Sequence, residues 1–216
     1  MTARVLLRAD NGRLLPLDPA RWHGPSTATE KTVLAGLRGP VLDVGCGPGR
    51  IVEGLAQRGV AALGVDPARG AVAIARARGC PVLQRSVFAP LPGEGRWATL
   101  LLLDGNIGIG GDPVGLLNRS RRLIRSDGLV LVEVEPPGCG WVRCRARLER
   151  GDDFGPWFDW SVVGADAIVE IAHRSGLVVA SLRRARDDRW FAFLHANPTA
   201  ASVCSVRGGG VLGPER

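Results

Sequence analysis

Pro40-Val-Leu-Asp-Val-Gly-Cys-Gly-Pro-Gly-Arg50 decides how this chain is read: an apolar run breaks into Gly45, Gly47 and Gly49, and residues 51–58 continue with helical spacing. A strand that turns through three glycines into a helix lets backbone N–H groups approach a bound anion or nucleotide with no Cβ atoms in the way. A second apolar run, residues 60–65, closes on Asp66, about where an adjacent parallel strand would end. A carboxylate there accepts hydrogen bonds from both hydroxyls of a ribose. The two runs together predict a site for an adenosine-type cofactor.

Working outward, short apolar runs alternate with amphipathic stretches. Strands are expected at 41–44, 61–65, 81–85, 98–103 and 129–135, and helices at 50–58, 68–78, 113–126 and 164–175. This alternation predicts an α/β fold with parallel strands and crossover helices on both faces. The end of the chain departs from it. Residues 177–182 and 190–195 are both strand-like, but only Arg183-Arg-Ala-Arg-Asp-Asp-Arg189 lies between them. That link is too short for a crossover helix, so the pair should form an antiparallel hairpin.

Before the glycine loop, Thr27-Ala-Thr-Glu30 fits a capping box ahead of Val33, Leu34 and Leu37. Residues 1–25 carry Pro16, Pro19 and Pro25 and read as an arm with one short strand at 5–8. Residues 137–163 form an insertion rich in Trp141, Trp157, Phe158 and Trp160, with Arg143, Arg145 and Arg147 alternating as on an extra strand. Placed over the strand ends it would be a water-excluding lid; the plainer alternative is a local aromatic cluster. Residues 197–216 turn to Ala, Ser and Gly and read as a poorly ordered tail, leaving one domain over 1–196.

A chain of 216 residues is long enough to bury about 70% of its unfolded surface without staples. Its five cysteines form no CxxC pair and its three histidines no zinc spacing, so no metal site is expected and a reduced, cytoplasmic setting is. No signal peptide and no run of 18 apolar residues suggests a membrane. The net charge of +7 invites a nucleic-acid partner. Of the 28 basic residues, however, only Lys31 is a lysine, which looks like a chain-wide preference for arginine. Solvated faces explain the Arg-rich segments 119–125, 143–150 and 183–189 better than phosphate contacts do.

A dinucleotide loop has GxGxxG spacing; here Gly49 comes one position early, and Asp43 stands two residues before Gly45. With Asp66 and the terminal hairpin, residues 26–196 resemble the class I S-adenosylmethionine (SAM)-dependent methyltransferases, whose seven-stranded, Rossmann-like sheet ends in such a hairpin. The resemblance implies that Asp43, Gly45, Cys46, Gly47 and Gly49 line the methionine end of SAM, that Asp66 binds the ribose and that Pro67 packs near the adenine. The family often has an acidic residue after its third strand to meet the adenine amino group. Ser86 stands there in this chain, with Val87 and Phe88 as candidates to flank the ring.

Ligands in open parallel sheets lie beyond the carboxyl ends of the strands, where strand order reverses. There the resemblance implies that Asp104, on the cofactor side, and Asn106, toward the acceptor, face the methyl group, although Asp-Gly and Gly-Asn are also ordinary turn sequences. Glu133 and Glu135 share a face of a strand expected to be buried, where an unpaired carboxylate costs several kcal/mol. Glu135, nearer the strand end, would orient an acceptor or take its proton, while Glu133 can pair with an arginine. Trp22 and His23 can complete the pocket, His23 being the one histidine expected outside a regular element and a candidate base. The leading expectation is methyl transfer to oxygen or nitrogen of a small-molecule acceptor. An RNA methyltransferase and a catalytically silent SAM-binding partner protein are the alternatives.

Overall fold

The computed structural model describes residues 5–16 and 19–196; the expected tail at 197–216 lies outside the described residues. The chain runs β1 (Val5–Ala9), β2 (Leu14–Pro16), α1 (Pro19–His23), α2 (Ala28–Val33), β3 (Val41–Val44), α3 (Arg50–Ala56), β4 (Ala62–Asp66), α4 (Arg69–Ala77), β5 (Val82–Gln84), β6 (Trp97–Leu102) and a 3₁₀ segment (Asn106–Gly111). It continues through α5 (Pro113–Leu123), β7 (Ile124–Val134), β8 (Trp141–Arg150), β9 (Asp153–Phe154), β10 (Phe158–Val163), α6 (Ile168–Arg174), β11 (Leu177–Arg184) and β12 (Trp190–Ala196). Among the described residues no helix is long and apolar enough to cross a membrane.

Seven strands form one sheet in the order β11-β12-β7-β6-β3-β4-β5. β3 pairs in parallel with both β4 and β6, and strand order reverses between β3 and β6. β12 is antiparallel to both β7 and β11, the hairpin that the short Arg-rich link requires. β3 and β6 are buried at every residue, because helices cover both faces of the central strands. The sheet is the Rossmann-like, mostly parallel one expected, with element ends shifted by a few residues. The largest shifts surround β7 and α6. Trp97 pairs with Ile124 and the ladder resumes only at Thr99 with Leu129, so a bulge starts β7 at Ile124, taking residues 124–126 from the expected helix and 127–128 from the expected link. Residues 164–167 are held instead by bonds from Gly164 N to Gly140 O and from Ala165 N to Glu135 O, which delays α6 to Ile168.

The N-terminal segment and the 137–163 insertion are not separate features. β10, β8, β1 and β2 lie in order in a second, antiparallel sheet, with β9 on β8. The expected arm thus contains a hairpin rather than one strand, and β1 pairs along β8 from Val5 with Arg150 to Ala9 with Ala146. An ion cluster ties these two strands: Arg8 donates to both oxygens of Glu149 at 2.7 and 2.8 Å, and Arg147 Nε donates at 2.8 Å. Arg147 also lies over the rings of Phe154 and Trp157, at 4.6 and 4.8 Å. The second sheet meets the first where Glu135, one residue past β7, bridges Gly164, one past β10.

Candidate active site

The switch point between β3 and β6 opens into a cavity of about 1190 Å³, larger than the ordinary range of a single-ligand pocket. Its floor is the glycine loop after β3 and the turn after β6; one wall is the loop after β5, and the second sheet contributes Leu7, Leu148, Phe158 and Trp160 as a roof.

The glycine loop has the tight geometry its residues require. Gly45 has φ +70, and a Cβ there would stand 2.5 Å from Asn106 Nδ2. Gly49 caps α3 with φ +87, and a Cβ there would stand 2.9 Å from the Cys80 sulfur. Asp66 braces the loop: Oδ2 accepts from Gly47 N at 2.9 Å and Oδ1 from Ala68 N at 2.8 Å. Each carboxylate oxygen keeps a lone pair, enough for the hydroxyls of a ribose. Beneath the loop Asp43 is buried against the cavity, and its Oδ2 has no hydrogen-bond partner among the described residues. Burial, opposed by Arg50, pushes its carboxyl up to about 7. An orphaned carboxylate beside a cavity fits a ligand that brings cationic or donor groups, as SAM does. Cys46 is buried behind the loop, and burial raises its thiol well above the ordinary range, away from thiolate chemistry.

The loop after β5 holds the other expected cofactor contacts. Pro67, Ser86, Val87 and Phe88 all line the cavity; Val87 is anchored in the core, whereas Phe88 is 51% exposed. Ser86 Oγ accepts from Phe88 N at 3.3 Å. Arg119 of α5 fixes this loop from behind, donating to Val87 O at 2.9 Å and Ala89 O at 2.8 Å while pairing with Glu94 at 2.6 Å. That pairing holds Glu94 down at about 2. Arg119 was not among the expected site residues. Its position, three after Leu116 and four before Leu123, places it on the apolar stripe of α5 and is the signal that it points inward.

At the end of β6, Asn106 Nδ2 donates to Val44 O at 2.8 Å and Gly45 O at 3.1 Å, so its amide clips the glycine loop to the neighbouring strand. Asp104, at φ 54, belongs to a buried ion network. Its carboxylate pairs with Arg21 and, at 2.5 Å, with Arg50; Arg50 also reaches Glu30. Arg189 pairs with Glu30 at 3.0 Å and grips Glu133 twice, at 2.7 and 2.6 Å. Glu133 Oε2 also accepts from Asp104 N at 2.8 Å. Glu133 therefore has the arginine partner its burial demanded. Burial alone would raise the carboxyl of Glu30, but its bonds to Arg50 and to Thr27 N, with the charges of Arg50 and Arg189, bring it down to about 2. Three arginines and three acids balance, and none of Arg21, Arg50, Arg189 and Glu30 was expected here. Arg119 and Arg189 come from segments read as solvated, and both are spent inside the protein.

Glu135 differs from Glu133. It lines the cavity, is partly exposed, and its side chain has no partner among the described residues. His23 corrects its expectation in one respect: it ends the helix α1 rather than lying outside a regular element. It lines the cavity together with Trp22, and its carbonyl accepts from Arg78.

The family described as "Methyltransferase domain" matches residues 41–128, from β3 into β7. A ubiquinone biosynthesis O-methyltransferase of Pseudomonas paraeruginosa is 33% identical over 108 residues, 45% of each chain, so this chain spans under half the length of the curated relatives it matches. A SAM-dependent methyltransferase from Bacteroides fragilis, solved with S-adenosyl-L-homocysteine, superposes with a TM-score of 0.75 at 20% identity over 91% of this chain and 89% of that one. The glycopeptide N-methyltransferase MtfA, solved with SAM, superposes at 0.58 with 16% identity over 78% of this chain and 93% of that one. At these identities the superpositions speak for the fold.

Proposed function

We propose that the chain, whose residues 41–128 match a methyltransferase domain, is a class I SAM-dependent methyltransferase that transfers the methyl group of SAM to an oxygen or nitrogen of a small-molecule acceptor. The observation that carries this reading is one cavity walled on one side by the glycine loop with Asp43 and Asp66 and on the other by Glu135 under an aromatic roof. When bound, SAM supplies a methyl carbon already activated by a sulfonium leaving group.

What is left to the protein is alignment, deprotonation and the exclusion of water. The glycine loop and Asp66 hold the cofactor's methionine and ribose ends, and the loop at 86–88, braced by Arg119, receives the adenine. Asp104 takes no part through a free carboxylate, since its oxygens are engaged by arginines; it sets the turn that carries Asn106. Glu135 orients the acceptor and takes the proton that it loses. Trp160, packed on the turn after β6, and Phe158, edge-on to it at 5.9 Å, keep water from the reacting atoms. The curated relative is, by its name, an O-methyltransferase of ubiquinone biosynthesis, which supports the small-molecule reading over RNA.

Incubation with methyl-labelled SAM and host extract, fractionated afterwards, tests the proposal. Label in the small-molecule fraction is expected. Label lost on nuclease treatment would assign an RNA acceptor, and bound SAM with no labelled product would make the chain a silent partner.

A further inference from the structure

We propose that the acceptor is a cationic amine, seated with its nitrogen against Glu135 and its carbon frame against Trp160 and Phe158; this rests on the cavity being the methyl-transfer site.

The cavity is acidic in a basic protein. Eight carboxylates and four guanidinium groups line it, although the whole chain carries +7. Arg21, Arg50 and Arg189 are neutralised in the ion network; Arg85, directed to the Pro90 carbonyl at 2.9 Å, keeps its charge, and the carboxylates outside the network still outnumber it. Among the carboxylates, Asp104 and Glu133 are neutralised by that network, while Asp43 and Asp66 belong to the glycine loop. SAM carries a net single positive charge, which those two acids can meet. Glu135 remains as a carboxylate on the acceptor wall, with no side-chain partner among the described residues. Asp159 and Asp187, also lining the cavity, have no side-chain partner among the described residues, while Asp188 pairs with Arg184 at 2.7 Å. A hydroxylated acceptor would leave this negative excess uncompensated in a part-closed space, whereas an ammonium group offsets it.

The roof fits the same class of molecule. Aromatic faces attract ammonium groups through the ring quadrupole, and Trp22, Phe88, Phe158 and Trp160 all reach the cavity. The placement of Glu135 also suits the chemistry. An ammonium must lose a proton before its lone pair can attack. Glu135, one residue past the end of β7, can accept that proton. The nitrogen lone pair then forms the N–C bond as the methyl carbon parts from sulfur, whose bonding electrons stay on it as a neutral thioether.

The test uses the full chain loaded with S-adenosyl-L-homocysteine and a matched pair of probes: 2-phenylethylamine, an ammonium at neutral pH, and 2-phenylethanol, neutral and of similar size. Calorimetry should show the amine binding at least about tenfold more tightly. In Glu135→Gln that preference should fall below about threefold while the homocysteine ligand binds as before. With SAM in place of the product, turnover should follow the amine. Equal binding of the two probes, a preference for the alcohol, or a preference surviving in Glu135→Gln would overturn the proposal. The wild-type comparison needs no variant to fold. If S-adenosyl-L-homocysteine itself fails to bind, the cofactor reading falls instead, and the two failures are told apart at the first titration.

Discussion

Replacing Asp43 by Asn should change how stability depends on pH. Burial raises this carboxyl from 3.8 to about 7, Arg50 pulling the other way and Asp66 and Glu30 adding to the rise. Below pH 3.8 both the folded and unfolded chains hold the proton and the group contributes nothing pH-dependent. As pH climbs, the unfolded chain ionises first, and the folded state is penalised progressively until its own carboxyl ionises near 7. A rise of about 3 units corresponds to a full penalty of roughly 4 kcal/mol above that pH, an upper bound because water in the cavity screens the charge. Of this, about 2 to 3 kcal/mol accrues between pH 5 and pH 8. Asparagine mimics the protonated acid at every pH. Urea unfolding of both proteins at the two pH values should therefore show the variant gaining about 2 to 3 kcal/mol on the wild type on going from pH 5 to pH 8. Arg50, Asp66 and Glu30 are present in both chains, so their own titration largely cancels. Stability curves that stay parallel to within about 0.5 kcal/mol would refute the buried, unpartnered carboxylate.

Asp66→Asn keeps an acceptor for only one of the two loop amides and removes the charge facing the ribose, and SAM binding should weaken by about 1–3 kcal/mol in calorimetry; unchanged affinity would remove Asp66 from the ribose site. Glu30, held at about 2 against an ordinary 4.5, stabilises the fold fully above the higher value and loses that contribution as pH falls through the lower. Acid unfolding of Glu30→Gln followed by circular dichroism should be flatter between those limits, and a slope equal to wild type would count against the pairing. Arg119→Met orphans the Val87 and Ala89 carbonyls and should cost about 1–3 kcal/mol for each that stays buried. Its signature is faster amide exchange across residues 86–89; slow exchange there would show that the loop holds without Arg119.

The central sheet was legible because its signals are local. Glycines at alternate positions, runs of four to six apolar residues, and a link too short for a crossover each state their consequence within a few residues of sequence. The second sheet was not, because what makes it a sheet is pairing between β1 and β8, more than 130 residues apart: each strand has a local signal, but nothing local says that the two pair. Leu148 shares the parity of the buried Cys144 and Ala146 but is exposed and lines the cavity. The ion network was hidden for the same reason. Glu133 announced a need for a partner through its place on a buried strand, but the partner came from the far hairpin, and nothing near Arg189 distinguishes it from the exposed arginines at 183, 184 and 186.

That network explains why an expensive feature persists beside the cavity. Replacing a buried ion cluster by apolar groups is often neutral or stabilising, so stability alone gives no reason to keep one. Its geometry gives another. Arg50 starts the helix behind the glycine loop, Arg21 comes from the segment before it, Arg189 from the terminal hairpin, and two of the acids end the strands β6 and β7. Arg21, Arg50 and Glu133 bond Asp104 directly, while Arg189 is tied to it through Glu133; the φ of 54 at Asp104 is an uncommon value for a non-glycine residue and holds the turn carrying Asn106 against Gly45. Apolar packing would tolerate small slides between the strand ends; bidentate pairs do not. The cluster thus fixes the cofactor wall and the acceptor wall at one distance. Because its own charges balance, it does so without supplying a cation to compete for Glu135.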